Sequence, residues 1–265
     1  IWNSYGMSHG WLNVTEAITH SCNYFFYEVG YRATIDNIAK YAKYYGLGEK
    51  TNVELPMEEK GIVATRDKAK ERGDEWQIGE TLSAAIGQSY NSYTPIQMAK
   101  YISMLANGGE PIDVTIVKSI NDVNGNQVSK EDITKFVNAK LGLTKEKKEN
   151  LNIKKENIDA ILKGMKGVTS EEGGTAYSTF ANFNIELGGK TGSAQTDVQG
   201  KINGWFVGFA PYEEPEIAVV VLVENAGSGS YTAEVARDIL QEYFGMNMEK
   251  VEEDLTAMPS TEIQN

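Results

Sequence analysis

Gly188-Gly189-Lys190-Thr191-Gly192-Ser193 is followed by two strongly apolar runs, Trp205-Phe206-Val207-Gly208-Phe209-Ala210 and Ile217-Ala218-Val219-Val220-Val221-Leu222-Val223. Their spacing decides the fold. They read as strands at 185–195, 204–210 and 216–224, joined by connections of about six to eight residues. A parallel crossover needs a dozen or more, so the three strands form an antiparallel meander. The second and third are apolar on both faces, whereas a half-solvated sheet alternates, so both faces must be covered. One cover is a helix over 232–244, with Val235, Ala236, Ile239, Leu240 and Tyr243 toward the sheet and Glu234, Arg237, Asp238 and Glu242 toward water.

Upstream the period is helical, which makes the class α+β: residues 1–180 mostly helical, 181–245 sheet and C-terminal helix. Asn13 with Glu16 three residues later gives a capping box for a short helix ending near His20. A second helix covers 24–31. A third covers 35–45, with Ile35, Ile38, Ala39, Ala42 and Tyr45 on one face and Gly46 as the stop. Residues 57–75 are charged and patternless, and read as a surface loop. Thr94-Pro95-Ile96-Gln97 combines an N-cap, a proline at the first helical position and a capping glutamine. The helix it opens is apolar on most sides, hence buried, and stops at Asn107-Gly108-Gly109. A small hairpin at 114–128 turns at Asn124-Gly125. Helix returns over 130–166, most clearly at 158–165, and 246–265 reads as an acidic tail.

The 265 residues include 25 basic and 37 acidic ones, a formal net charge of −12. That charge argues against a protein that holds nucleic acid by neutralising phosphates. With 41% hydrophobic and 23% charged residues the chain has an ordinary globular composition. Cys22 is the one cysteine, so no intrachain disulfide forms. No apolar run approaches the ~20 residues that span a bilayer. Ile1-Trp2-Asn3 reads as the interior of a longer protein.

Three segments could carry chemistry. Around Lys190 a phosphate loop would need a glycine at position 184, where Asn184 stands, and a helix after Ser193, where no helical period follows. A glycine-rich strand with a surface lysine is the plain alternative. Open backbone beside a lysine and two hydroxyls suits a carboxylate better: charge from Lys190, hydrogen bonds from Thr191 and Ser193. Ser21-Cys22-Asn23 is an interhelical turn whose serine or asparagine could simply cap the next helix. A Cys22–His20 hydrolase lacks a third group, and His9, His20 and Cys22 match no metal-ligand spacing. The third segment, 86–99, reads only as a loop entering a well-capped helix.

In this order the segments resemble the transpeptidase domain of penicillin-binding proteins, most closely the monofunctional class B type. Ser21-Cys22-Asn23 is similar to the family's Ser-x-Asn motif and Lys190-Thr191-Gly192 to its Lys-Thr-Gly motif. The stretch Ile86-Gly87-Gln88-Ser89, continued by Thr94-Pro95-Ile96-Gln97, resembles a further family segment, with Ser89 where glycine is usual. Gly173-Gly174-Thr175-Ala176 and Trp205-Phe206-Val207-Gly208-Phe209-Ala210-Pro211 also match. The resemblance covers roughly residues 10–245. It departs in one respect: none of the residues before Ser21 forms the Ser-x-x-Lys motif that bears the family's nucleophile. The resemblance therefore implies the C-terminal part of a catalytic domain, inactive alone.

What the resemblance implies is two-step serine acyl transfer between peptidoglycan stem peptides, blocked covalently by β-lactams. Ser21 would relay a proton, Asn23 would hold the substrate's amide carbonyl, and Lys190 would keep the site electropositive. Thr191, Gly192 and Ser193 would bind the terminal carboxylate, with the Ser193 N–H as half of an oxyanion hole. No cofactor and no metal is implied. Partners would be stem peptides, β-lactams and other cell-wall synthesis proteins. The place would be the outer face of the bacterial cytoplasmic membrane, reached through an N-terminal anchor outside this chain. A β-lactam sensor, a serine β-lactamase and a non-catalytic penicillin-binding scaffold share the same motifs.

Overall fold

Three strands, β1 (Gly188–Gln195), β2 (Ile202–Ala210) and β3 (Ile217–Val223), form an antiparallel meander in the order β1-β2-β3. Lys190 stands opposite Val207 and Ser193 opposite Gly204, while Val207 faces Val220 on the other side. The computed structural model describes residues 8–142, 151–196 and 198–246. β1 begins at Gly188 and not at 185: β2 ends at Ala210, and Pro211 has no N–H to give the ladder. The next bond to the chain before β1 skips to the Tyr212 N–H, which donates to Glu186 O at 2.8 Å. Phe206 and Val207 are neighbours pointing to opposite faces, and both are buried. The sheet is covered on both faces, as its two-sided apolar pattern requires.

The helices are α1 (Val14–Thr19), α2 (Asn23–Tyr44), α3 (Arg66–Glu71), α4 (Ile78–Ala85), α5 (Pro95–Ala106), α6 (Lys130–Leu141), α7 (Lys155–Ser170), α8 (Tyr177–Phe180) and α9 (Ser230–Tyr243). α5 packs on β2 and β3, α7 on β1, and α9 on all three strands. The two helices expected at 24–31 and 35–45 follow one another directly within α2 and are separated by a kink at Thr34, whose φ of 69° and ψ of 156° are not helical. At the start of α5 the Thr94–Gln97 box is complete, and the buried Gln97 amide also donates to Glu49 O at 2.7 Å and Lys60 O at 2.8 Å. One glutamine thus caps the start of a helix and pins two loops.

Three expectations need correction, and one element is new. Residues 57–75 contain α3, a short helix capped by the Thr65 hydroxyl with Ala69 as its buried residue; so small an apolar face leaves no period to read. α4 was not anticipated: within its eight residues only Thr81 and Ala84 are buried. The hairpin at 114–128 shrinks to a single bridge, Asn121 to Gln127, closed by Asp122. α9 buries Thr232, Ala233, Ala236 and Leu240, while Val235, Ile239 and Tyr243 stay 45%, 43% and 51% exposed. Ala233 and Ala236 let the helix lie close on the sheet, which rolls the bulkier stripe outward. The acidic tail lies outside the described residues, apart from Met246.

Candidate active site

Ser21 owes its position to the end of α1. The Cys22 N–H donates to Ala17 O at 2.9 Å and the Ser21 N–H to Ile18 O at 3.1 Å, the paired bonds of a Schellman cap. The residue at the turn of that cap adopts left-handed φ, and glycine usually fills it; here it is Ser21, at φ 51°. A side chain in that region costs roughly 1–2 kcal/mol, and such strain concentrates at functional positions.

α1 is in turn seated on α7. Thr15 Oγ donates to Ala160 O at 3.0 Å and Thr19 Oγ to Gly164 O at 3.3 Å. A Cβ on Gly167 would lie 2.3 Å from Thr19 Oγ, so the two helices meet where α7 has no side chain. α7 is tied to the sheet through Thr169 Oγ, which donates to Leu187 O at 2.7 Å just before β1. This chain of contacts brings together two groups far apart in sequence. Lys190 Nζ donates to Ser21 Oγ at 2.8 Å and to Thr191 O at 2.9 Å. Desolvation in this setting pushes the Lys190 ammonium down to about 8 from the ordinary 10.5.

The rest of β1 is arranged around the same edge. Thr191 Oγ and Thr175 Oγ are hydrogen-bonded at 2.7 Å, and His20 Nδ1 lies 3.2 Å from Gly173 O, so the 173–175 loop touches both halves of the site. Ser193 Oγ accepts from the Gly229 N–H at 3.0 Å. A Cβ on Gly229 would come within 2.1 Å of Gly192 O, so only glycine lets this loop reach β1. Gln88 Nε2 donates to Ser193 O at 3.4 Å. In an antiparallel strand N–H and C=O of one residue share a side, so the Ser193 N–H faces away from β2, toward the open edge.

The structure joins Ser21, Lys190, Thr191 and Ser193 in one region, with Gly192 as the close-packing point. Asn23 starts α2 with its side chain exposed and without a hydrogen-bond partner among the described residues, while Cys22 is the N-cap and makes no side-chain cap bond. His9 and His20 stack with ring centroids 5.7 Å apart. Sequence reasoning missed Thr175 and Gln88 as neighbours of β1: nothing local to either residue signals a contact across the fold. Chemically, a lysine of lowered basicity beside a strained hydroxyl can shuttle a proton. The two hydroxyls and outward N–H of β1 can hold a carboxylate and a developing oxyanion. No serine in the chain has a lysine three residues later.

The family model for the penicillin binding protein transpeptidase domain matches residues 1–241. Peptidoglycan D,D-transpeptidase MrdA of Haemophilus influenzae is 30% identical over 260 residues, covering 92% of this chain and 38% of that protein. Penicillin-binding protein H of Bacillus subtilis is 35% identical over 194 residues, covering 70% and 25%. Among solved structures, Pseudomonas aeruginosa PBP2 in complex with WCK 5153 superposes with a TM-score of 0.74 at 30% identity, over 88% of this chain and 49% of that one. PBP2 of Helicobacter pylori in its complex with MreC gives 0.73 at 28%, over 91% and 41%. The chain spans about 38% of the length of the first MrdA relatives.

Proposed function

The chain belongs to the penicillin-binding protein transpeptidase family, and we propose that it is the C-terminal part of a D,D-transpeptidase that cross-links peptidoglycan stem peptides by serine acyl transfer. The nucleophile comes from the part of the relatives' length that this chain does not span. Its hydroxyl attacks the carbonyl of the D-Ala–D-Ala bond, the C–N bond breaks, and D-alanine leaves carrying the proton. The amine of a second stem then attacks the ester, forms the cross-link and returns the serine. β-Lactams enter as mimics of the dipeptide and stop at the first step.

Ser21 and Lys190 pass the proton between nucleophile and leaving amine. Asn23 holds the substrate amide carbonyl, Thr191 and Ser193 hold the carboxylate, and the Ser193 N–H takes half of the oxyanion. Support comes above all from one observation, the 2.8 Å hydrogen bond between Lys190 and Ser21, residues of two separate motifs. The protein works on the outer face of the bacterial membrane, anchored upstream of this chain, alongside other cell-wall synthesis proteins. Among the described residues no helix is long and apolar enough to cross a membrane.

Mass spectrometry with a labelled penicillin tests this reading. The full-length parent should gain one adduct, on a serine outside this chain, and this chain alone should gain none. A stoichiometric adduct on Ser21 would make Ser21 the nucleophile and overturn the assignment. Rapid hydrolysis of the parent's adduct would instead indicate a β-lactamase.

A further inference from the structure

A cleft of about 1040 Å³ opens between α5, α6 and the 111–118 segment, and it shares no lining residue with the Ser21–Lys190 site. Its apolar lining includes Met104, Ile112, Val128, Ile133 and Val137. Lys50, Lys60, Lys100, Lys118, Lys130 and Lys135 also line it, against four carboxylates. Those four are already engaged: Glu131 pairs with Lys135 at 2.9 Å, Glu54 accepts from the Thr115 hydroxyl and from the Ile116 N–H at 2.9 Å, and Glu49 and Asp113 have interactions of their own. Lys50, Lys60, Lys118 and Lys130 make no ion pair among the described residues. A lysine-rich cleft in a chain of net charge −12 is a local reversal of sign. Just outside it, Ile116 and Phe136 are 61% and 62% exposed.

We propose that this cleft docks an acidic peptide segment of a partner protein, one in which carboxylates alternate with apolar side chains. The carboxylates would meet the lysines, and the apolar residues would cover Ile112, Val128 and Val137, which are only half-buried over the buried Met104 and Ile133. A purely anionic polymer satisfies the lysines but leaves the floor uncovered, so the combination of floor and charge favours the peptide. The Glu54 clamp on Thr115 and Ile116 holds one wall of the cleft in place before a ligand arrives.

The test uses the full-length parent and fluorescence anisotropy with a short labelled peptide of interleaved Glu and Leu. Binding should be saturable, and at least ~10-fold weaker for an all-Glu peptide of equal charge, since each buried Leu contributes more than the ~1.4 kcal/mol that a factor of ten requires. Combining Lys118→Glu with Lys130→Glu should weaken it at least ~10-fold, whereas Lys163→Glu on α7 should leave it unchanged. Thermal melts establish that the variants are folded. Absence of saturable binding, or equal loss in the Lys163 control, would overturn the site. Inorganic polyphosphate binding as tightly as the Glu-Leu peptide, with the all-Glu peptide matching both, would overturn the peptide assignment and make the cleft a site for polyanions.

Discussion

The Lys190 ammonium donates a 2.8 Å hydrogen bond to the hydroxyl of Ser21, 169 residues earlier in the chain. Neither group is placed by its neighbours in sequence alone. Ser21 is set by a helix cap and by α1 resting on the glycines of α7, and Lys190 by its register opposite Val207. The contact requires both the sheet and the helical part to be correctly assembled, so it reports on the fold as much as on the chemistry.

The left-handed φ of Ser21 separates stability from activity. In the full-length parent Ser21→Gly should remove the side-chain strain and raise stability by about 1 kcal/mol relative to Ser21→Ala. Both variants should lose the hydroxyl relay and acylate more slowly to a similar degree. Thermal unfolding together with penicillin acylation checks the pair. Equal stability of the two variants would show that the cap holds Ser21 without strain.

Lys190 predicts a pH dependence of definite sign. Its ammonium loses its proton near 8 in the folded protein and near 10.5 when unfolded. Between those values the unfolded chain binds more protons, so this group makes the fold more stable as pH rises, not less. The site behaves oppositely: carboxylate capture and proton donation need the charged lysine, so acylation should fall as pH passes about 8. Lys190→Arg, which stays charged, should shift that descending limb upward while lowering the plateau, because its planar fork does not reproduce the compact ammonium. A limb that stays near 8 in the Arg variant would assign it to another group.

β3 has no strand partner on its outer side among the described residues, and Tyr231, Val235, Ile239 and Tyr243 lie exposed at helical spacing along α9. Unpaired apolar edges associate. This chain alone should therefore self-associate or bind a hydrophobic dye, and co-expression with the remaining part of the parent as a second chain should suppress both. A monodisperse chain with a cooperative melt and no partner would contradict that expectation.

The meander could be read from sequence because Phe206–Val207 and Ile217–Val223 are apolar on both faces and the connections are short. The caps of α1 and α5 were equally plain, since Asn13–Glu16 and Thr94–Gln97 act within one turn. What could not be read depends on distance or on packing. α3 and α4 bury too little to imprint a period. The facing of α9 turns on how close two alanines let it approach the sheet. The Thr175–Thr191 and Gln88–Ser193 contacts exist only once the chain has folded. The Ser21 strain needs a backbone angle, which no residue type encodes by itself.

The central claim is that Ser21 and Lys190 act as one unit in acyl transfer, and a double-mutant cycle on β-lactam acylation in the full-length parent tests it most directly. A charge-assisted hydrogen bond in a partly desolvated cleft contributes on the order of 1.5–3 kcal/mol, so Lys190→Ala should slow acylation ~10- to ~100-fold. Ser21→Ala should cost a comparable factor, and the double variant should be little slower than either single one, a coupling that independent sites do not show. Lys201→Ala, in the exposed connection after β1, is the control and should acylate normally. Strictly multiplicative losses, or a Lys190→Ala rate equal to that of Lys201→Ala with both variants folded, would contradict the account.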